Sequence, residues 1–317
     1  MPTTVHFATN RVVTDAGDAA NGYKNTMVPP SRPQDITYGT AFIDGVDVAT
    51  GAQGSVTQIV DINQGGFSQQ AIGDLSSPGR DLLVFIHGFD NSFSDAVTRA
   101  AFNREWLAAS ADAASDMSVV AFSWPSVGEI VGFPIPQAAY LTDQHMARNS
   151  GPHLMTFLAN LEPILTAARA TGRRSVLLAH SMGHLALQAG VENWFLNGNG
   201  DARMFDVAIL AAGDCDYDAF DQPNLARLSG LDRLTNRIAV LYSHIDQVLQ
   251  LSMALNLGAK RLGQDGPHNR ADPAAFPPNV YQMVDCSGFR DYNLDFLSSH
   301  QYYRLSPGAR AVIAAAV

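Results

Sequence analysis

Residues 175–184 read Ser-Val-Leu-Leu-Ala-His-Ser-Met-Gly-His, and this stretch decides how the chain folds. An apolar run typical of a buried strand leads into the pattern small-x-Ser-x-Gly, and a helical pattern follows over residues 183–196. A strand, a very tight turn and a helix in this order lift the Ser181 hydroxyl above the end of a sheet. Gly183 leaves the helix side of the turn without a side chain, while Ala179 stands where the strand side usually has glycine. The stretch predicts a nucleophile elbow.

Apolar strand patterns and helical patterns alternate on both sides of this turn. The candidate strands are residues 4–8, 36–43, 55–62, 82–86, 117–122, 175–179, 206–211, 237–242 and 280–284, and the candidate helices begin near 92 and near 154 and cover 183–196, 246–257 and 307–316. Such alternation predicts an α/β fold with a mostly parallel, twisted sheet and helices on both faces. The first three strands are separated by Gly, Pro and Asn, which predicts an antiparallel edge. We expect one domain over residues 1–317.

Composition and charge exclude several classes of function. The 317 residues are 46% hydrophobic and 16% charged, as in an ordinary globular protein. A net charge of -10 argues against nucleic acid as a partner. No apolar run approaches the roughly 20 residues that span a bilayer, and the first residues lack a signal-peptide pattern. We therefore expect a cytoplasmic protein without membrane insertion, and nothing in the sequence specifies its oligomeric state.

The sequence contains no motif that is typical of a metal site or of a disulfide framework. Cys215 and Cys286 lack the CxxC spacing, so two separate thiols are the default expectation. No His, Glu or Asp pair has a spacing such as HExxH. We expect no metal and no cofactor.

Three polar residues follow three different candidate strands, at the edge where parallel sheets collect their functional groups. They are Ser181, Asp246 and His300. A serine hydroxyl is a poor nucleophile unless an imidazole accepts its proton, and a carboxylate must fix the tautomer of that imidazole. The order Ser, Asp, His along the chain is that of the α/β-hydrolases. These three residues are the expected catalytic triad.

Two of these roles have rivals. Asp214 and Asp216 follow the strand at 206–211 and could supply the acid, while Asp246 could simply cap the helix that follows it. His268 also follows Asp246 and could supply the base. We favour Asp246 because it begins a helix after the penultimate strand, and His300 because it lies beyond the last strand.

A His-Gly turn after the strand at 82–86 predicts an oxyanion hole. Such a turn points backbone N–H groups into the crevice, and the N–H of Phe89 is the first expected donor. The N–H of Met182, directly after the serine, is the second. His87 itself can also shape the loop by bonding to nearby backbone.

The substrate pocket is expected around the strand ends and a following segment. Residues 127–140 are apolar, rich in Gly and Pro and without a regular pattern, which predicts a cap over about residues 125–150. A long surface loop is the alternative. The residues expected to line the pocket are His87, Trp124, Ile130, Phe133, Ile135 and His180. Ile130, Phe133 and Ile135 would form an acyl-binding wall, so the substrate would have a hydrophobic part.

Five stretches carry a resemblance to a known family. They are Phe7-Ala8-Thr9-Asn10-Arg11, Phe85-Ile86-His87-Gly88-Phe89, Phe122-Ser123-Trp124-Pro125-Ser126 with Tyr140-Leu141-Thr142-Asp143, Ala179-His180-Ser181-Met182-Gly183, and His300-Gln301-Tyr302-Tyr303. On these residues the chain resembles the α/β-hydrolase superfamily. Within it, the chain is similar to a bacterial esterase- and lipase-like group catalogued as a domain of unknown function (DUF900-like), in which Ala before His-Ser-Met-Gly is common.

The resemblance implies an α/β-hydrolase fold and a serine hydrolase that acts on small-molecule esters. A carboxylic ester hydrolase with an acyl-enzyme intermediate is the favoured function. A thioesterase, an amidase or an acyltransferase would use the same triad, and a binding module that has lost catalysis would keep the same fold. These alternatives stay open at the level of the sequence.

Overall fold

A computed structural model describes residues 2–110, 116–126, 137–221 and 228–317. The strands in these ranges are β1 (Thr3–Thr9), β2 (Arg11–Val13), β3 (Tyr23–Met27), β4 (Thr37–Asp47), β5 (Ala52–Gln64), β6 (Arg80–Ile86), β7 (Asp116–Ser123), β8 (Ser175–His180), β9 (Phe205–Ala211), β10 (Thr235–Tyr242) and β11 (Tyr281–Asp285). The helices are α1 (Gln69–Leu75), α2 (Phe93–Ala108), α3 (Gln137–Asn149), α4 (Gly151–Ala170), α5 (Gly183–Leu196), α6 (Gln247–Leu255), α7 (Leu262–Asp265), α8 (Tyr302–Leu305) and α9 (Pro307–Ala316).

Nine of these strands form one sheet in the order β11-β10-β9-β8-β6-β7-β1-β4-β5. Neighbours from β11 to β1 pair in parallel, while β4 and β5 add the antiparallel edge. The predicted fold class is confirmed. β1 differs from the expectation in one respect, because it runs parallel to β7 and only its other side pairs antiparallel, with β4.

Alternate residues of the buried strands face two separate hydrophobic cores. On β6, Leu82 and Val84 belong to the core that contains the apolar residues of α4 and α5. Leu83 and Phe85 belong to the core that contains those of α2 and α9. Strands buried on both faces explain why β6 and β8 read as continuous apolar runs in the sequence.

Residues 137–140 correct the expectation of irregular structure between residues 127 and 140. They form the first turn of α3, whose residues after Pro136 include good helix formers such as Ala, Leu, Gln and Met. The proline- and glycine-rich composition therefore ends where the helix begins. Helix α1, the hairpin of β2 and β3, and the short helices α7 and α8 are also absent from the sequence prediction, since each is too short for a clear periodicity.

The helices in the ranges that the structure describes have between 4 and 20 residues. None of them is both long enough and apolar enough to cross a membrane.

Candidate active site

The turn after β8 holds Ser181 in a left-handed backbone conformation, with φ of 54°. Three donors fix the Ser181 carbonyl oxygen: the backbone N–H and Nδ1–H of His184, at 3.1 and 2.8 Å, and the backbone N–H of Asp214, at 3.1 Å. A side chain at Gly183 would place its Cβ 2.4 Å from the backbone oxygen of His87, so this position requires glycine. The methyl group of Ala179 is buried in a hydrophobic core, which shows that the strand side of the turn tolerates alanine.

The side chains of Ser181, His300 and Asp246 form one hydrogen-bonded chain. His300 Nε2 lies 2.8 Å from Ser181 Oγ, and His300 Nδ1 lies 2.7 Å from Asp246 Oδ2. A carboxylate accepts hydrogen bonds, so Nδ1 carries the proton and Nε2 accepts from the serine hydroxyl. All three residues are at least 95% buried. This arrangement allows the imidazole to take a proton from the serine.

Asp246 contacts both His300 and the first turn of α6. Its Oδ1 accepts the backbone N–H of Leu249 at 2.9 Å and caps α6, while its Oδ2 bonds to His300. The rival acid Asp214 is instead paired with Arg261, whose Nε lies 3.1 Å from Asp214 Oδ1. Asp216 also contacts Arg261, at 2.7 Å.

The rival base lies away from the serine. His268 Nδ1 bonds to Asp221 Oδ2 at 2.9 Å, and both of these side chains are at least 38% exposed. His300, by contrast, contacts both Ser181 and Asp246. The structure thus brings together the three residues that the sequence favoured, and it leaves the rival base His268 partly exposed.

Two backbone N–H groups beside Ser181 are free to bind an anion. The N–H groups of Phe89 and Met182 donate no hydrogen bond to any other residue that the structure describes. Gly88 brings the first of these loops close to the serine, since a Cβ at Gly88 would lie 2.6 Å from Ser181 Cβ. Both N–H groups are therefore available to an anion beside Ser181.

His87 and Trp124 do not line the cavity at Ser181, contrary to the sequence prediction. Both are fully buried and stack on each other, with ring centroids 5.0 Å apart. The Trp124 N–H donates to His87 Nε2 at 3.1 Å, and the indole N–H of Trp124 donates to the His87 carbonyl at 2.8 Å. Burial lowers the pKa of His87 to about 3. The neutral ring therefore shapes the loop, which is the second role that the sequence allowed.

His180 lines the cavity beside His300. Its ring centroid lies 4.8 Å from that of His300 and 4.6 Å from that of Tyr303. His180 Nε2 lies 3.3 Å from the His300 carbonyl oxygen and donates to it. Burial, and then the charge of His300, hold the pKa of His180 well below its ordinary value. A neutral ring therefore packs against the back of His300.

The cavity above Ser181 has a volume of about 150 Å³. Its described lining residues are Phe89, Asp90, Arg99, Tyr140, His180, Ser181, Asp214, Val248, Ser252, Leu255, Leu297, His300, Gln301 and Arg304. The predicted acyl-binding residues Ile130, Phe133 and Ile135 lie outside the described residues. Of the predicted cap, helix α3 contributes Tyr140 to the lining.

A polar network in the cavity wall was missed at the level of the sequence. The Tyr140 hydroxyl donates to Asp214 Oδ2 at 2.9 Å, and the Ser252 hydroxyl donates to Asp214 Oδ1 at 2.5 Å. Burial alone lowers the pKa of Arg261, but the neighbouring acidic groups, Asp214 foremost, raise it by more, so the net direction is upward and Arg261 stays charged. Only the position of Tyr140 among the family-like stretches hinted at this role.

Two further supports hold the loops at the site. Arg11 is buried and donates through Nη2 to the carbonyl oxygens of Asn91 and Trp124, at 2.7 and 2.8 Å. The Ser126 hydroxyl accepts the N–H of Asp90 at 2.8 Å and donates to Asp143 on α3. These contacts tie together the loops after β6 and β7, and they explain why Arg11, Ser126 and Asp143 occur in the family-like stretches.

Across residues 2–110, 116–126, 137–221 and 228–317, no group of three or more His, Cys, Asp or Glu is arranged to hold an ion.

Several solved structures are similar to this chain at low identity. Esterase PE8 is 17% identical, with 77% of this chain and 95% of that chain covered and a TM-score of 0.37. The thermostable carboxylesterase EstE1 from a metagenomic library is 10% identical (89% and 82% covered, TM-score 0.36). LpqC, a poly(3-hydroxybutyrate) depolymerase from Bordetella parapertussis, is 15% identical (90% and 89% covered, TM-score 0.41).

Among curated proteins, none matches this chain. A family model does match, over residues 66–314, and it describes an alpha/beta hydrolase of unknown function (DUF900). The matched range contains the elbow at Ser181, the Asp246 and His300 that contact each other, and both free N–H groups. The chain belongs to this DUF900 family of α/β-hydrolases.

Proposed function

We propose that the protein is a carboxylic ester hydrolase that works through an acyl-enzyme on Ser181, and that one domain spanning residues 1–317 carries this activity. The observation that supports the proposal most directly is the continuous hydrogen-bonded chain from Ser181 Oγ through His300 to Asp246, opening into a cavity. The geometry is that required for transfer of the serine proton to an imidazole as the hydroxyl attacks a carbonyl carbon.

In the first half of the reaction, Ser181 Oγ attacks the ester carbonyl while His300 Nε2 accepts the serine proton. Asp246 stabilises the imidazolium that forms, and the N–H groups of Phe89 and Met182 bind the oxyanion. His300 then donates its proton to the departing alcohol. A water molecule attacks the acyl-enzyme in the second half, again with His300 as the base, and releases the acid and free Ser181.

The cavity supports a small substrate with an apolar part. Phe89, Val248, Leu255 and Leu297 supply apolar surface to the lining, and the volume of about 150 Å³ is below the roughly 300 Å³ at which drug-sized pockets begin. We propose that the segment at about 125–150 covers this cavity, with Tyr140 of α3 as its described contribution.

Fluorophosphonate labelling tests the proposal, because such probes react with an activated serine. We expect one label on Ser181, loss of the label in Ser181→Ala, and full labelling of the control Ser118→Ala. Ser118 lies near the amino end of β7, at the opposite edge of the sheet. Equal labelling of wild type and Ser181→Ala would contradict the proposal. A panel of matched oxygen esters, thioesters and anilides then separates ester hydrolysis from thioesterase or amidase activity.

A further inference from the structure

Two arginines line the same cavity as Ser181 and His300. Arg99 lies on α2, which follows the loop that carries the Phe89 N–H, and Arg304 lies on α8, four residues after His300. Arg304 is only 7% exposed. The predicted hydrophobic substrate gives no reason for two guanidinium groups at this place.

Neither arginine has a carboxylate partner among the residues that the structure describes. Arg304 donates through Nε to Gln301 Oε1 at 2.7 Å, and the Nε of Arg99 is buried without a hydrogen-bond partner. Burial of a guanidinium without a compensating anion is unfavourable. The other buried arginines of the described residues have more partners: Arg261 has two aspartates, while Arg11 and Arg173 each donate to two or more backbone carbonyls.

The carboxylates in the cavity lining do not neutralise the two arginines. Asp214 is paired with Arg261 and accepts bonds from Tyr140 and Ser252, so its charge is already used. Asp90, in the loop before α2, also lines the cavity and has a partner, and among the ion pairs between described residues none joins it to Arg99 or Arg304. The wall formed by α2 and α8 is therefore positively charged.

The electrostatic effect of this wall reaches neighbouring groups. Burial, together with the charge of Arg99, lowers the pKa of Arg304 to about 10. After burial and His300, the charges of Arg99 and Arg304 both contribute to the low pKa of His180. Both cations are therefore close enough to act on a group bound beside His300.

We infer that the cavity binds an ester that carries a second, anionic group, in the simplest case the free carboxylate of a dicarboxylic acid monoester, and that Arg99 and Arg304 bind this carboxylate. The inference rests on the proposed ester hydrolysis. A guanidinium offers parallel N–H donors that match the two oxygens of a carboxylate. Water adds across the ester bond, so that the hydroxyl joins the acyl group, the proton joins the alcohol, and the products are a diacid and an alcohol.

The net charge of -10 does not oppose this inference at short range. Exposed charges are screened over about 8 Å at physiological ionic strength. Within the cavity Arg99 and Arg304 belong to the lining, as do Val248 and Leu255, on which the methylene groups of a bound acyl chain can pack.

A matched pair of substrates tests the inference. The p-nitrophenyl monoester of glutaric acid and p-nitrophenyl pentanoate have acyl chains of the same length and differ in the terminal carboxylate. We expect wild type to have the higher kcat/KM for the glutarate monoester. Arg99→Gln and Arg304→Gln should each reduce the ratio of the two kcat/KM values by about tenfold, mainly through KM, since one charged hydrogen bond is lost.

Matched variants keep the result interpretable. Arg169→Gln, on α4 and away from the cavity, should leave the ratio as in wild type. Thermal unfolding reports whether Arg304→Gln is folded. If it is not, Arg99→Gln serves as the test, because Arg99 is only half-buried. A wild-type preference for the pentanoate, or a ratio that neither glutamine variant changes, would overturn the inference.

Failure of the proposed ester hydrolysis can be distinguished from failure of the proposed anion site. If wild type hydrolyses neither ester, the proposed function is wrong, and calorimetric binding of monomethyl glutarate to Ser181→Ala then tests the anion site alone. Binding that is lost when Arg99→Gln is added supports the site. Absence of binding, or binding that Arg99→Gln does not weaken, overturns it.

Discussion

One carboxylate oxygen of Asp246 accepts the Nδ1–H of His300 at 2.7 Å, while its other oxygen caps the N-terminus of α6. The same side chain therefore fixes the histidine ring and the helix that follows it. Holding His300 depends on the negative charge of the carboxylate, whereas capping α6 needs only a hydrogen-bond acceptor. A substitution that removes the charge and keeps the acceptor therefore separates the two roles.

Asp246→Asn should keep the helix cap and lose the charge. Asn and Asp cap helices about equally, so the free energy of unfolding should change little. The kcat for ester hydrolysis should fall by about 10⁴-fold, because an amide at this position stabilises the wrong tautomer of the histidine. Asp246→Ala should lose about 1 kcal/mol as well, through the missing cap. Urea unfolding and ester kinetics measure the two effects, and an active Asp246→Asn variant would contradict the assigned role.

Gly88→Ala should reduce activity because the new methyl group would lie 2.6 Å from Ser181 Cβ and 3.2 Å from Ser181 Oγ. A displacement of about 1 Å at the nucleophile costs on the order of 100-fold in rate. Gly73→Ala is the control, since it lies on α1 with open space around it and should add about 0.5–1 kcal/mol of stability. Comparison of kcat with the unfolding midpoint checks both variants, and a fully active Gly88→Ala enzyme would show that the loop is displaced at no cost.

Arg261→Met should destabilise the protein strongly. It leaves Asp214, whose side chain is 4% exposed, without its cation, and breaking a buried pair costs about 3–5 kcal/mol. Lys260→Met at the adjacent position removes an exposed lysine 3.7 Å from Asp265 and should cost less than about 1 kcal/mol. Chemical denaturation distinguishes the two, and similar small losses would show that the buried network contributes little.

Stability should fall as the pH is lowered from about 6.5 to 4. Burial lowers the pKa values of His6, His153 and His184 to about 4, whereas an unfolded chain has histidines near 6.5. Between these values the unfolded chain binds more protons, so protonation favours unfolding. Denaturation at pH 7 and pH 5 should show a smaller difference for His6→Gln than for wild type. The exposed His145→Gln should behave as wild type does.

Strand ends were predictable from sequence, and much of the site follows from them. Parallel strands place Ser181, Asp246 and the loop of His300 at one edge, and the residue types then restrict the chemistry. The direction of side chains within a loop is not encoded in this way. His87 and Trp124 turn inward because their rings stack and exchange hydrogen bonds, a pairing across 37 residues that no periodicity reveals.

Hydrogen-bond partners that lie far apart in the sequence could not be predicted from it either. The cavity network joins Tyr140 of α3, Asp214 after β9 and Ser252 of α6, three segments that only the tertiary fold brings together. Arg99 lies on α2 between apolar residues that face the core, and the sequence analysis assigned it no role. The structure places Arg99 in the lining of the cavity.

The three hydrogen bonds to the Ser181 carbonyl have a consequence for turnover. They hold the serine in an unfavourable backbone conformation before any ester is present, so that the strain is stored when the chain folds. The free and acylated forms should therefore share one backbone at residues 180–184, and acylation should require movement of the substrate alone. Loss of the hydrogen bonds from His184 and Asp214 would therefore let Ser181 relax to an ordinary backbone conformation and carry its hydroxyl away from His300.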